Sequence, residues 1–254
     1  MTIDEAWLKE RAGDLTAGIL FLTRLRYGPA TPLNGAAIAR AAWAFPLAGV
    51  LVGAIGAVVY LLGYKAGVPP WPAAALAVAA TMAVSGCLHE HGLAATIDGF
   101  ADGASREQKL DTMRAGRIGV YGVCALTLSI LLRVSALAGL GAPGLVAAAL
   151  IAAHGAGRAI LPAFMFFVPS ARSDGLSAAG QPPRESVAAA ALLGLLLLIL
   201  CLGLGPGLVA LFWLAIVAAL LAWLSVTQID GQTGDVLGAV EQASEILILL
   251  VALR

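Results

Sequence analysis

Charge is scarce in this chain. Only 12% of its 254 residues are Asp, Glu, Lys or Arg, about half the usual share of a soluble domain. The formal net charge is zero, so no basic field exists that would draw nucleic acid. Cysteine is nearly absent as well. Cys87, Cys124 and Cys201 lie in or beside apolar runs with no metal-ligand spacing and no disulfide framework, and they read as small hydrophobes. Only three histidines are present, His89, His91 and His154, so those that occur carry weight.

What the chain has instead is long apolar runs, with 60% hydrophobic residues overall. A bilayer-spanning helix needs about 20 such residues. Seven stretches qualify: 41–63, 71–88, 118–139, 144–167, 187–204, 206–225 and 236–253. The expected fold is therefore all-α, a polytopic membrane helical bundle of about seven transmembrane helices. A shorter segment, 14–27, precedes them as an interfacial helix. We read 1–254 as one integral-membrane domain, with 1–40 as a cytoplasmic or interfacial N-terminal segment. Gly49 and Gly53 form a small-xxx-small pair suited to close helix packing in lipid. Pro46 predicts a kink in the first span.

Basic residues cluster in alternate connections. Lys9, Arg11, Arg24, Arg26 and Arg40 precede the first span, Arg106, Lys109, Arg114 and Arg117 follow the second, and Arg172 and Arg184 follow the fourth. The intervening loops hold little beyond Lys65. This asymmetry predicts that the N-terminus and the polar loops face the cytoplasm. Three polar segments, 89–117, 169–186 and 227–238, then share one side and are expected to frame a common cavity.

The segment 89–117 gathers two histidines, the acids Glu90, Asp98, Asp102, Glu107 and Asp111, and four basic residues between two apolar runs. Ionisable groups so placed must stay wet, bind something or do chemistry, the bland alternative being a solvated helix between spans. Read as a helix continuing from the second span, 89–103 sets His91, Ala95, Asp98 and Asp102 on one face. Asp98 and Asp102, one turn apart, suit a hard divalent ion that keeps water and phosphate as its other ligands. Within apolar runs, His154 and Arg158 are spaced i, i+4 and Glu245 stands alone, so each needs a partner or a wet cavity. Arg133 reads as a side chain that snorkels to the far interface. Late in the chain, GQTGD (231–235) offers backbone N–H groups at a helix start. Asp235 there either caps the helix or shares the site with a phosphate.

These motifs carry a resemblance. HEHGLAATIDGFADG (89–103), SREQKLDTMRAGRIGVYG (105–122) and GQTGDVLGA (231–239), with FLTRL, FPLAG and ARSDGLSA in support, resemble the cobalamin-5′-phosphate synthases, or adenosylcobinamide-GDP ribazoletransferases. In the family's acidic motif, Glu90, Gly92, Leu93, Ala94, Thr96, Asp98 and Gly99 match, while His91, Ala95 and Ala115 stand where the family has aspartates.

The resemblance implies an inner-membrane, Mg²⁺-dependent transferase of cobalamin biosynthesis. It would join GDP-activated adenosylcobinamide to α-ribazole or its 5′-phosphate and release GMP. On that reading Glu90, Asp98, Asp102 and Asp235 are the expected metal ligands. Arg114, Arg117, Arg158, Thr233 and Gly234 are expected at phosphates, and Asp98 or His91 as the base. The partners are the two substrates and the lipid bilayer, with room for a homo-oligomer or a complex with other cobalamin-assembly enzymes, and no nucleic acid. The alternative is a degenerate relative that binds corrinoid or scaffolds such a complex, since losing one carboxylate beside a metal costs about 10–100-fold in affinity or activity. A transporter is disfavoured by the lack of paired Gly- or Pro-interrupted segments in matching halves.

Overall fold

The structure is a computed structural model that describes residues 5–25, 34–172 and 180–254. Arg26 and most of the ARSDGLSA motif lie outside the described residues. The helices are α1 (Glu5–Leu22), α2 (Gly35–Ala41), α3 (Phe45–Lys65), α4 (Pro70–Ser85), α5 (Leu88–Asp102), α6 (Arg106–Arg114), α7 (Val120–Leu140), α8 (Pro143–Phe167), α9 (Arg184–Leu202), α10 (Leu204–Ile229) and α11 (Gly234–Ala252).

The bundle is all-α as expected, but the count of seven spans is not met. Among the described residues five helical stretches are long and apolar enough to cross a membrane: Gly35–Lys65 and the helices α7, α8, α9 and α10. A sixth arises if α4 and α5 count as one broken span, bent by 88°. The predicted seventh, 236–253, falls within α11, which carries Asp235, Glu241 and Glu245 in 19 residues. Those carboxylates make it a helix for the inside of the bundle. Twelve of its residues are buried, Glu241 and Glu245 among them.

Burial sorts the remaining helices. The long apolar window of α8 is 67% buried, against 22% in α9 and 17% in α10. α8 is thus a central strut, while α9 and α10 turn side chains such as Leu200, Phe212 and Trp223 outward, as a lipid-facing helix does. Gly49 and Gly53 act as their spacing predicts. A Cβ on Gly49 would overlap the carbonyl of His154, and one on Gly53 would lie 2.5 Å from the carbonyl oxygen of Leu150. Only glycine lets α3 lie this close to α8. Pro46 stands at the break within the Gly35–Lys65 stretch. It occupies the first turn of α3, just after a 3-10 turn at Ala42–Ala44, where its missing N–H costs nothing.

The 88° corner between α4 and α5 corrects the reading of one continuous helix. Gly86 ends α4 with φ of +65°, and Cys87 follows with φ of +55°. Two successive left-handed residues turn the chain aside, so the acidic motif starts a new helix that packs against α11, α7 and α6.

Candidate active site

Two of the sequence motifs meet through their glycines. A Cβ on Gly92 would lie 2.6 Å from the carbonyl oxygen of Asp235, and one on Gly238 would lie 2.9 Å from Cα of Gly92. The segment HEHG on α5 is therefore in backbone contact with TGDVLG on α11. Beside this crossing is a cavity of about 210 Å³. Leu88, His89 and His91 of α5 and Gly234, Asp235, Leu237 and Gly238 of α11 form one wall. Phe21 and Leu22 of α1, Phe45 of α3, and Leu161 and Met165 of α8 form the other.

Behind that wall lies a buried charge network. Arg133 on α7 is fully buried; its Nη1 is 3.0 Å from Oε1 of Glu90 on α5 and 3.3 Å from Oε1 of Glu245 on α11. The reading of Arg133 as a snorkelling side chain is thus reversed. It points inward, because two carboxylates inside the bundle offer it more than the interface does. Glu245 has the partner that its depth demanded. Arg158 on α8 pairs with Glu241 at 2.5 Å and reaches Nδ1 of His154 at 3.1 Å and Nδ1 of His89 at 3.2 Å. Gln242 donates to both Glu241 and Glu245 and accepts from Ser129. Four helices are fastened at one level. Glu241 escaped the sequence reading, although its i, i+4 spacing to Glu245 in an apolar helix was the available signal.

The expected site residues are distributed unevenly over this geometry. His91, Gly234 and Asp235 line the cavity. Burial raises the Asp235 carboxyl from its ordinary value, against the opposing pull of Arg172 and His91. Thr233, not Asp235, is the N-cap of α11, its hydroxyl accepting from the Val236 N–H at 3.3 Å. Arg158 is 1% exposed and engaged with Glu241. Arg114, at the end of α6, and Arg117, in the connection to α7, are exposed on the surface. The face that was to join His91, Ala95, Asp98 and Asp102 is divided, with Ala95 and Asp98 buried and His91 and Asp102 exposed.

Asp98 has a specific task. Its Oδ2 accepts from the Gly119 N–H at 2.6 Å and its Oδ1 from the Gly122 N–H at 2.8 Å. Gly119 is the N-cap of α7 and has no side chain to cap with, so Asp98 supplies from α5 what an N-cap residue normally supplies itself. Its charge also suits the positive end of that helix. A Cβ on Gly119 would lie 2.7 Å from Oδ1, and one on Gly122 would overlap the carboxylate, which gives both glycines of RIGVYG a reason. Asp98→Ala leaves two N–H groups without an acceptor, at about 1–3 kcal/mol each when buried. The expected result is a clear loss of thermal stability in lipid, with Asp98→Asn losing less. An unchanged melting temperature in the alanine variant would remove this capping role.

The four expected metal ligands do not converge. Glu90 is held by Arg133, both oxygens of Asp98 are taken, Asp102 is exposed, and only Asp235 faces the cavity. Glu90 and Asp98 are also about 12 Å apart along the helix axis. Among the described residues one trio has donor atoms within 4.8 Å of one another, His154, Glu241 and Glu245. Arg133 and Arg158 already occupy that cluster with positive charge, so a divalent ion has little to gain there.

Comparison with known proteins agrees with the motifs. The family model described as cobalamin-5-phosphate synthase matches residues 14–253. The chain is 55% identical to the adenosylcobinamide-GDP ribazoletransferase of Bradyrhizobium diazoefficiens, over 94% of this chain and 92% of that one. It is 48% identical to the protein of the same name from Mesorhizobium japonicum, over the same shares. The like-named protein of Brucella anthropi is 35% identical over 93% of this chain and 95% of its own. No solved structure matches. With the motifs, their packing and a match over nearly the whole length in agreement, the chain belongs to the cobalamin-5-phosphate synthase family.

Proposed function

We propose that the chain is an adenosylcobinamide-GDP ribazoletransferase acting at the cavity between α5 and α11. The reading is carried by one observation: the residues of both family motifs, His91 from one and Gly234 and Asp235 from the other, line the same cavity. In the reaction, a ribazole hydroxyl oxygen forms a bond to the phosphorus attached to the corrinoid. The bond from that phosphorus to the bridging oxygen of the diphosphate breaks, and GMP leaves. The hydroxyl proton goes to His91, whose imidazole is open to the cavity, rather than to Asp98, whose oxygens are engaged. The N-terminus of α11 at Gly234 presents N–H groups and a positive helix end to the diphosphate, and the exposed Arg114 and Arg117 add positive charge for long-range attraction of it.

A magnesium ion entering with the diphosphate would be held by Asp235, since this ion accepts one carboxylate and leaves its other positions to water and phosphate. Its contribution would be to offset charge on the departing GMP. We place the protein in the bacterial inner membrane with this mouth toward the cytoplasm, on the asymmetry of its basic residues.

A second reading, a degenerate binder or scaffold, rests on His91, Ala95 and Ala115 standing where the family has aspartates. One assay separates the two. Purified protein in lipid, given GDP-activated cobinamide and α-ribazole, is expected to release GMP, and more with Mg²⁺ than with a chelator. No GMP above background from folded protein that still binds corrinoid would select the scaffold.

A further inference from the structure

We propose that the cavity is the seat of the ribazole's flat aromatic base, with the ribosyl group left at His91 and Asp235; this rests on the transferase reading above.

Size makes the first selection. An apolar cavity of about 150 Å³ takes up one benzene ring. At about 210 Å³ this one suits a fused bicyclic ring and cannot admit a corrin macrocycle or a whole nucleotide. Chemistry makes the second. Guanine is also bicyclic and belongs to the other substrate, but its edges are rich in donors and acceptors. Of the side chains lining the cavity only His89, His91 and Asp235 could pair with them, while Phe21, Leu22, Phe45, Leu161 and Met165, on the wall formed by α1, α3 and α8, offer no strong partner. Each polar group of guanine buried there unpaired would cost about 1–3 kcal/mol. A benzimidazole, apolar over both faces and most of its edge, meets no such penalty. Phe21 and Phe45 already stand as a tilted pair, with ring centroids 5.8 Å apart, and Met165 adds a polarisable thioether of the kind that favours aromatic rings. The other wall supplies what a ribosyl group needs, since His91 and Asp235 are its hydrogen-bonding side chains near the start of α11. A base held in this way brings the ribose hydroxyls to the imidazole proposed as their proton acceptor.

The test uses the full chain in lipid nanodiscs, with 5,6-dimethylbenzimidazole and GMP as separate probes. The unsubstituted protein is expected to bind the free base and to bind GMP at least tenfold more weakly. Leu161→Trp, which fills the cavity, is expected to weaken base binding at least tenfold and to raise KM for α-ribazole by a similar factor, with KM for the GDP-corrinoid within twofold. Leu161→Ala, which enlarges it, is expected to improve use of a ribazole bearing a bulkier tricyclic base relative to the natural one. Several results would overturn the proposal. These are a KM effect confined to the GDP-corrinoid, base binding indifferent to Leu161→Trp, GMP bound in preference to the base, or no base binding because lipid fills the cavity. Failure of the transferase reading would show separately, as base binding without GMP release.

Discussion

Arg133→Met is expected to prevent accumulation of folded protein. The guanidinium is fully buried and stands between Glu90 of α5 and Glu245 of α11, so it ties α7 to the two helices that carry the motifs. Methionine fills much the same volume, but it strands two buried carboxylates. Removing one member of a buried ion pair typically costs about 3–5 kcal/mol, a large part of the roughly 5–15 kcal/mol that holds a protein folded. The expected measurement is a collapse in the yield of monodisperse protein from mild detergent, or a large fall in melting temperature where some survives. Arg133→Lys should recover much of the loss, because both carboxylates meet the same nitrogen, Nη1, and a single ammonium keeps a positive charge between them. The triple variant Arg133→Met, Glu90→Gln, Glu245→Gln should recover more, since the stranded charge rather than the lost pair does the damage. A single Arg133→Met variant with native yield and melting temperature would show that the network does not fasten these helices.

Much of the fold was legible in the sequence because its signals are local. The apolar runs announced helices in lipid, and Gly49 and Gly53 announced a close crossing that α3 and α8 make. The convergence of 89–117, 169–186 and 227–238 followed from charge placement. Among the described residues the Gly92–Gly238 contact and the bonds of Ala171 to Arg106 and Gln232 bear it out, although no described residue of 169–186 lines the cavity. What was misread depends on which way a side chain turns. Arg133 has the same reach whether it snorkels or points inward, and only the acids on two other helices decide between them. The corner at Gly86 and Cys87 was hidden because a cysteine with positive φ has no sequence signature. Asp98 carried the residue type of a metal ligand or base, but its oxygens answer to Gly119 and Gly122, about twenty residues later. The seventh span is not confirmed, because α11 carries three carboxylates in 19 residues and packs largely inside the bundle.

His91→Ala is expected to do the opposite of Arg133→Met, leaving the fold intact and removing the chemistry. His91 is exposed at the cavity wall, one residue from the buried Glu90. Truncating an exposed side chain away from the packed interior usually changes stability by less than about 0.5 kcal/mol. A positioned general base contributes about 10²–10⁴ to rate, so kcat is expected to fall by that order while KM for either substrate stays within a few-fold. The family resemblance sharpens the test, because an aspartate stands at this position in the family's motif. Imidazole and carboxylate differ in shape and charge but share the capacity to accept a proton. His91→Asp is therefore expected to keep far more activity than His91→Ala, and His91→Gln, which hydrogen-bonds without taking a proton, should resemble the alanine variant. If glutamine supports turnover as well as histidine does, the side chain positions substrate and the proton goes elsewhere. If aspartate proves as poor as alanine, the site has been rebuilt around an imidazole, with Asp235 as the carboxylate left to compensate.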